Sequence, residues 1–402
     1  MGDPVIVAAC RTAVGRAKRG SLVHTRPDDM AGVVVKEVVK RAGIKPELIE
    51  DVVMGCAMPE AEQGMNVARQ AVHRAEFPDE IPAMTINRYC SSGMQAIWLI
   101  NLDIMAGMID VGIGGGTETM SMIPMGGNKI VPNPWMAENY PRAYVSMGQT
   151  SENVAMKYGI TREEQDAFAL ESNNKAIRAN KEGHFKEQIV PLPAYKYDGK
   201  GNRKDFIYEV DEGPRPSTLE GLAGLRPAFA NPKAKIEGLG TVTAGNSSQM
   251  SDGASAVLLM DRAKAEELGV KPWGKFHGCV TVAFDPDYMG IGPARAVPRL
   301  MEKVAKPLGL DYKDIDCWEL NEAFASQAVY SLKELVPKGL DPDKINPNGG
   351  AIALGHPLGA TGAKLTTQIM YWLRDNKKQW GVVTMCIGGG MGAAGLFENY
   401  LL

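Results

Sequence analysis

Two cysteines, one histidine and one asparagine stand where this chain could do chemistry. Cys90 lies in Thr85-Ile86-Asn87-Arg88-Tyr89-Cys90-Ser91-Ser92-Gly93-Met94-Gln95-Ala96, where an extended apolar lead-in stops at Asn87 and a helical pattern opens near Ser91. A residue at that junction meets free amide N–H groups and the positive end of a helix dipole, and both favour an anion. A thiolate is such an anion, so the placement predicts a thiol more acidic than its free value of about 8.5, hence a nucleophile. A buried cysteine at a helix start fits the same residues.

His356 sits between Gly355 and Pro357 in a glycine-rich run from Asn346 to Ala363, and is one of five histidines. A loop position fixed in this way suits an acid–base role. Asn321 falls where the strand end Glu319-Leu320 turns toward a helix. It can cap that helix, or hold a water against a reacting oxygen. Cys386 opens Cys386-Ile387-Gly388-Gly389-Gly390-Met391-Gly392, whose glycines leave backbone N–H groups free for an oxyanion. A dinucleotide-binding reading of these glycines lacks the acidic residue expected on a following strand. The small residues from Val242 to Gly253 form either a backbone that runs close along a ligand or a plain turn.

These residue types suit acyl transfer coupled to making or breaking a carbon–carbon bond beside a thioester. A thiolate can attack an acyl group and leave again. A separate acid–base group serves the α-carbon. N–H donors hold the tetrahedral adduct and the enolate.

The elements that must position these groups read as strands alternating with helices. Strands are expected at 5–9, 51–55, 111–116 and 256–260, and helices at 30–42, 64–77, about 91–107 and 161–181, the last opened by a Thr161/Glu164 capping box. This alternation predicts α/β crossover units and a mainly parallel sheet. Residues 121–250 break the pattern with irregular prolines, methionines and aromatics, and read as an elaborated insertion. The second half then repeats the first. Gly43–Val52 matches Gly309–Trp318, Cys90–Gly93 matches Gly359–Gly362, and Gly112–Gly116 matches Cys386–Gly390. Two such units placing equivalent loops together build a site at their junction.

Bulk composition narrows the class further. The 402 residues carry a net charge of −3 without a basic block, which argues against a nucleic-acid binder. Six dispersed cysteines predict free thiols in a reducing compartment, and no spacing suggests a zinc site. The longest apolar stretch, 97–113, is interrupted by Asn101, Asp103 and Asp110, so no membrane span is expected. Without a secretory pattern at Val5–Ala9, the expected location is the cytoplasm.

The segments Asn87–Gly93, Asn321–Phe324, Gly355–Gly359 and Cys386–Gly392 resemble, in order and spacing, the motifs of the thiolase family, and the resemblance covers the whole chain. It implies a duplicated five-layered αβαβα core with an inserted loop domain. The halves would be 1–120 plus about 251–272, and 273–402, with the loop domain at 121–250 binding coenzyme A as co-substrate. No bound cofactor or metal is implied. By the same resemblance Cys90 is the acylated nucleophile, His356 activates it, and Cys386 moves protons at the α-carbon and the coenzyme A thiol. His356 and an Asn321-held water would form one oxyanion hole, and the N–H groups of Cys90 and Gly388 the other. Ala244 and Ser248 would lie along the pantetheine arm, Arg215 near a phosphate, and Met147, Met289 and Phe324 around the acyl group.

The serine after Cys90 and the segments Pro357–Thr361 and Ala393–Phe397 resemble the degradative 3-ketoacyl-CoA thiolases of fatty-acid β-oxidation. The rival readings are condensation of two acetyl-CoA and a non-catalytic acyl-CoA-binding subunit. A homodimer or homotetramer is implied, and a hydratase–dehydrogenase partner is compatible with the degradative branch. Methionines 120, 122, 125, 136 and 147 suggest an adaptable wall for varied acyl tails, or core under the loops.

Overall fold

The chain is two copies of one sheet motif. The computed structural model describes residues 2–229 and 240–402. Strand β1 (Pro4–Thr12) is buried along its whole length, as a strand covered on both faces must be. With β2 (Asp51–Gly55), β3 (Ala83–Ile86), β4 (Val111–Thr119) and β5 (Ser251–Asp261) it forms a sheet of order β1-β5-β4-β2-β3. The second half supplies β6 (Gly274–Ala283), β7 (Cys317–Leu320), β8 (Trp380–Ile387) and β9 (Met391–Asn399) in the order β6-β9-β8-β7. A parallel bridge from Trp318 to Ile345 lies where the counterpart of β3 would be. The two sheets meet at one register pair, Ile6 with Gly274.

Strand directions repeat as well. β1/β5 and β6/β9 are antiparallel, as are β4/β5 and β8/β9, whereas β2/β4 and β7/β8 are parallel. The sheet is therefore mixed, not mainly parallel. The cause is visible at Gly388-Gly389-Gly390, a three-residue turn between β8 and β9 in which Gly389 and Gly390 take φ of 79° and 77°. So short a turn permits only an antiparallel neighbour.

Register also corrects one leg of the internal repeat. Asp51 pairs with Gly112, and its counterpart Cys317 pairs with Gly381. Gly112 is thus equivalent to Gly381, and Cys386 to Thr117. The glycines of 112–116 lie inside β4 instead of forming a turn like 388–390. They are there for packing: a Cβ on Gly114 would fall 2.4 Å from Cα of Ile97.

The helices that bear on the site are α1 (Pro27–Ala42), α2 (Val67–Arg74), α3 (Ser92–Met105), α4 (Met147–Tyr158), α5 (Arg162–Glu182), α6 (Gly292–Leu300), α7 (Ala325–Leu335) and α8 (Leu358–Asp375). Three cores order them into layers. Met30, Val34 and Val72 of α1 and α2 pack on the outer face of the first sheet. Ile97 and Ile100 of α3 and Ile369 and Leu373 of α8 fill the space between the sheets, against Ile6 and Val257 on one side and Val383 and Phe397 on the other. Val297, Leu300 and Leu335 of α6 and α7 cover the outer face of the second sheet. The result is αβαβα, with α3 and α8 as the shared middle layer.

Between β4 and β5 lie α4, α5 and a hairpin of Leu192–Tyr197 and Arg203–Tyr208. The capping box at Thr161 opens α5 as expected. The hairpin arises in a stretch without sequence periodicity. Its turn is set by Asp198, which accepts N–H bonds from Lys200 and Asn202, and by Gly201 at φ 83°. Residues 230–239 of this region lie outside the described residues.

The middle layer leaves no room at α8. A Cβ on Gly362 would sit 2.2 Å from the backbone N of Met94 on α3. Gly362→Ala should therefore lower stability by about 1–3 kcal/mol through overpacking, read as a drop in the urea midpoint. An unchanged midpoint would mean that the α3–α8 contact is looser than the structure shows.

Candidate active site

Cys90 occupies a 3-10 turn, Tyr89–Ser91, that leads into α3. Tyr89 takes a left-handed φ of 45°, and Asn87 Oδ1 accepts its N–H at 2.8 Å. Ser92 Oγ accepts the Arg88 N–H and donates to the Tyr89 carbonyl, locking the turn. This reversal folds Cys90 inward, where it packs with Ala57, Met120 and Leu358.

Cys386 comes one residue before the end of β8 and is fully buried beside Met147, Val242, Met289, Ala323 and Phe324. The two thiols are close enough that Cys90 pushes the Cys386 pKa upward, in addition to the larger effect of burial. The N–H groups of Gly388 and of Cys90 itself act on the Cys90 sulfur and favour its thiolate. Gly388 has Tyr89 and Met147 beside it, a Cβ there lying 3.5 and 3.6 Å from their side chains.

The expectation of an acidic Cys90 is not met. Burial pushes the thiol up to about 12, and the nearby Glu118 carboxylate adds to this. The two N–H groups do oppose the rise, as the helix-start argument requires, but loss of solvent outweighs them.

His356 follows a helical turn, Ala351–Leu354, and precedes α8. Gly355 takes φ 89°, and a Cβ there would lie 2.4 Å from Ser251 Oγ. That hydroxyl accepts the His356 N–H at 3.1 Å and donates to the Gln249 carbonyl. The imidazole is held at both nitrogens: Nδ1 is 2.6 Å from Thr361 Oγ1, and Nε2 is 3.3 Å from Asn321 Nδ2. Burial first, and then the positive charge of Lys364, hold its pKa down to about 3, so His356 is neutral at ordinary pH.

Asn321 does not cap α7. The residue before α7 is Phe324, without a side-chain cap, and Asn321 turns its amide to His356. Its Oδ1 is buried without a hydrogen-bond partner among the described residues.

The remaining sequence-predicted contacts divide. Met147, Met289 and Phe324 gather around Cys386. Ser248 lies beside them, donating its N–H to the Ala323 carbonyl at 3.0 Å, and Ala244 is exposed on the same loop. Arg215 stands apart on the surface, its N–H held by Asn173, and its guanidinium makes no hydrogen bond among the described residues. Of the methionines, Met120 packs against Cys90 and Met147 against Cys386, whereas Met125 is exposed.

Three residues that sequence reasoning passed over hold this site together. Buried Glu118 accepts N–H bonds from Ala57, Met58 and Gly359 and one from the Gln63 amide, tying the Cys90 side to the start of α8. Buried Glu322 accepts from Ser172, Asn346 and the Ile352 N–H, fixing the loop after Asn321. Thr361 meets the His356 ring at Nδ1. An acidic residue ending a glycine strand (Thr117-Glu118-Thr119) was the one available signal for Glu118; Thr361 had none. Among the described residues no group of three His, Cys, Asp or Glu side chains is arranged to hold a metal ion.

This arrangement of duplicated sheets and paired cysteines defines a thiolase. The thiolase N-terminal domain model matches residues 4–263 and the C-terminal domain model residues 270–399, and the chain belongs to the thiolase family. It is 51% identical to the 3-ketoacyl-CoA thiolase of Bacillus subtilis (strain 168), over 99% of this chain and 100% of that protein. It is 44% identical to the peroxisomal 3-ketoacyl-CoA thiolase of Homo sapiens, over 98% of this chain and 91% of that one. Among solved structures it resembles the dimeric peroxisomal thiolase of Saccharomyces cerevisiae, with TM-score 0.86, 38% identity and 99% and 97% of the two chains covered. It resembles the Bacillus anthracis acetyl-CoA acetyltransferase as closely, with TM-score 0.86, 37% identity and 99% of each chain covered.

The raised Cys90 pKa has a direct readout. A thiol titrating near 12 is almost wholly protonated at pH 7, and its thiolate fraction grows tenfold per pH unit. Carbamidomethylation of Cys90 in the ligand-free protein should therefore accelerate about tenfold per unit from pH 7 to 9. A plateau across that range would instead mean that the proton already rests on His356.

Proposed function

We propose that this protein cleaves 3-ketoacyl-CoA with coenzyme A, giving acetyl-CoA and an acyl-CoA two carbons shorter. The observation that carries the reading is the convergence of Cys90 and Cys386, with the N–H groups of Gly388 and Cys90 upon the Cys90 sulfur, together with the His356–Asn321 pair, which is joined to the Cys90 turn through Leu358 two residues after His356. The relatives named as 3-ketoacyl-CoA thiolases support the degradative direction.

In the first half-reaction His356 Nε2 takes the Cys90 proton and the sulfur attacks the 3-keto carbon. The oxyanion forms against the N–H groups of Cys90 and Gly388. The C2–C3 bond then breaks, leaving the acyl group on Cys90, and Cys386 delivers a proton to C2 of the departing enolate. The enolate oxygen is held by protonated His356 and a water on Asn321. In the second half-reaction Cys386 takes the coenzyme A thiol proton, that sulfur attacks the acyl carbon, and Cys90 leaves and regains its proton from His356.

Coenzyme A would run along Ser248 and Ala244 toward Arg215, with the acyl group among Met147, Met289 and Phe324. The working state is a homo-oligomer, a dimer or a dimer of dimers, as the dimeric yeast neighbour suggests. A hydratase–dehydrogenase partner fits the same pathway. No described helix is long and apolar enough to cross a membrane, and the cytoplasm is the proposed location. The likeness to an acetyl-CoA acetyltransferase favours a second reading, condensation of two acetyl-CoA on the same residues.

Cys386→Ala should separate the two chemistries. Acyl transfer from acyl-CoA to Cys90 persists, whereas carbon–carbon cleavage falls by about 10²–10⁴, the cost of a lost acid–base group. Mass spectrometry of the Cys90 peptide reads the first and acetyl-CoA release the second. Cleavage near the parent rate would remove Cys386 from its role.

Chain length decides between degradation and condensation. Each buried methylene contributes roughly 0.8 kcal/mol, close to fourfold in binding. kcat/KM should therefore rise several-fold per carbon from acetoacetyl-CoA upward until the pocket ends. A steady fall from the four-carbon substrate would favour condensation.

A further inference from the structure

The hydrogen bonds of His356 fix more than its position. A neutral imidazole carries one proton, and only the nitrogen without it can act as a base. Nδ1 faces Thr361 Oγ1 at 2.6 Å, and that hydroxyl lies 2.9 Å from the Pro357 carbonyl, one turn back on α8. A hydroxyl has a single proton. Given to the Pro357 carbonyl, which can only accept, it leaves Thr361 Oγ1 as an acceptor toward the imidazole. Nδ1 must then carry the ring proton. The other side agrees: Asn321 presents its Nδ2 donor to Nε2 at 3.3 Å, which requires a lone pair there. Both arrangements place the basic lone pair on Nε2, at the Asn321 side of the ring.

We propose that Thr361 is a positioning residue that holds His356 as its Nδ1–H tautomer, with the basic lone pair on Nε2. The inference rests on the reading of His356 as the base for Cys90. Thr361 touches no reacting atom; it acts through the ring. Thr361 is fully buried in the first turn of α8, so the position of its hydroxyl follows from the helix itself. Lys364, one turn on and also buried, opposes a second proton on the ring. Helix α8 thus decides both where the imidazole proton is and that there is only one.

Thr361→Ala removes the acceptor without adding bulk, and Thr361→Ser keeps the hydroxyl. The expected result is that Thr361→Ala lowers kcat about 10–100-fold, as when a histidine loses its orienting partner, while KM stays within twofold and Thr361→Ser recovers most of the rate. Nitrogen-15 spectra of histidine-labelled protein give a second readout, with the His356 signal identified by its absence in His356→Asn. The parent should show Nδ1 protonated and Nε2 free, and Thr361→Ala a mixture. Parent-like turnover in Thr361→Ala would overturn the inference, as would an equal loss in Thr361→Ser, which points to packing alone. His356→Ala separates the two levels. If it keeps turning over, the base reading itself fails; if it is inactive while Thr361→Ala is not, only the role of Thr361 falls.

Discussion

The contact on which the site depends is the crossing of α3 and α8 in the middle layer, and it exists because glycines line it. A Cβ on Gly93 of α3 would fall 2.7 Å from the Ala363 backbone of α8, and one on Gly362 of α8 2.2 Å from the Met94 backbone of α3. Backbone rests on backbone at each point, so no side-chain rearrangement could relieve an added methyl. Cys90 lies two residues before one helix and His356 two residues before the other. Their mutual placement is therefore set by main-chain contact, which is stiffer than any pairing of long side chains.

Buried carboxylates fasten the loops around that crossing. Glu118 and Glu322 are almost without solvent, and burial pushes both pKa values upward. Each is surrounded by donors, chiefly backbone N–H groups for Glu118 and side chains for Glu322. A buried charge is tolerated only when its acceptor sites are filled, so each carboxylate dictates where several loops must be. Glu118 gathers the loop at Ala57 and the first turn of α8; Glu322 gathers Asn346 and Ile352 against the Asn321 loop. Arg11 and Asp211 do the same between β1 and the insertion, through two hydrogen bonds of 2.8 Å.

Much of this was legible in the sequence, for identifiable reasons. The internal repeat could be seen because helix ends and strand entries leave local marks, such as Gly43 and Gly309, both left-handed in the structure. Cys90, His356 and Asn321 stood out because each sits at a turn with few conformational options, and Cys386 because it precedes the glycine turn 388–390. The mismatched third leg shows the limit. Gly112–Gly116 and Gly388–Gly390 look alike as letters, but one run admits a helix against a strand and the other reverses the chain. Composition cannot distinguish them; ladder register can. The roles of Glu118, Glu322 and Thr361 were not legible for a different reason. Their partners lie far away in sequence or across a turn, and a residue recruited by tertiary geometry carries no periodicity of its own.

The protonation states follow from the same geometry. A thiolate–imidazolium pair would be two charges in a site with almost no solvent, and burial drives Cys90 up and His356 down until the neutral pair is preferred. The Gly388 and Cys90 N–H groups are not strong enough to reverse this at rest. On the proposed roles, they have a better use once a keto group is bound. Attack moves negative charge from sulfur to the carbonyl oxygen, and donors already fixed beside the sulfur need no reorientation to meet it. A site that stabilised the resting thiolate fully would have little left to add in the transition state, since only interactions that strengthen along the reaction accelerate it. A neutral cysteine beside an unprotonated histidine, with N–H groups waiting, is the arrangement in which that difference is largest.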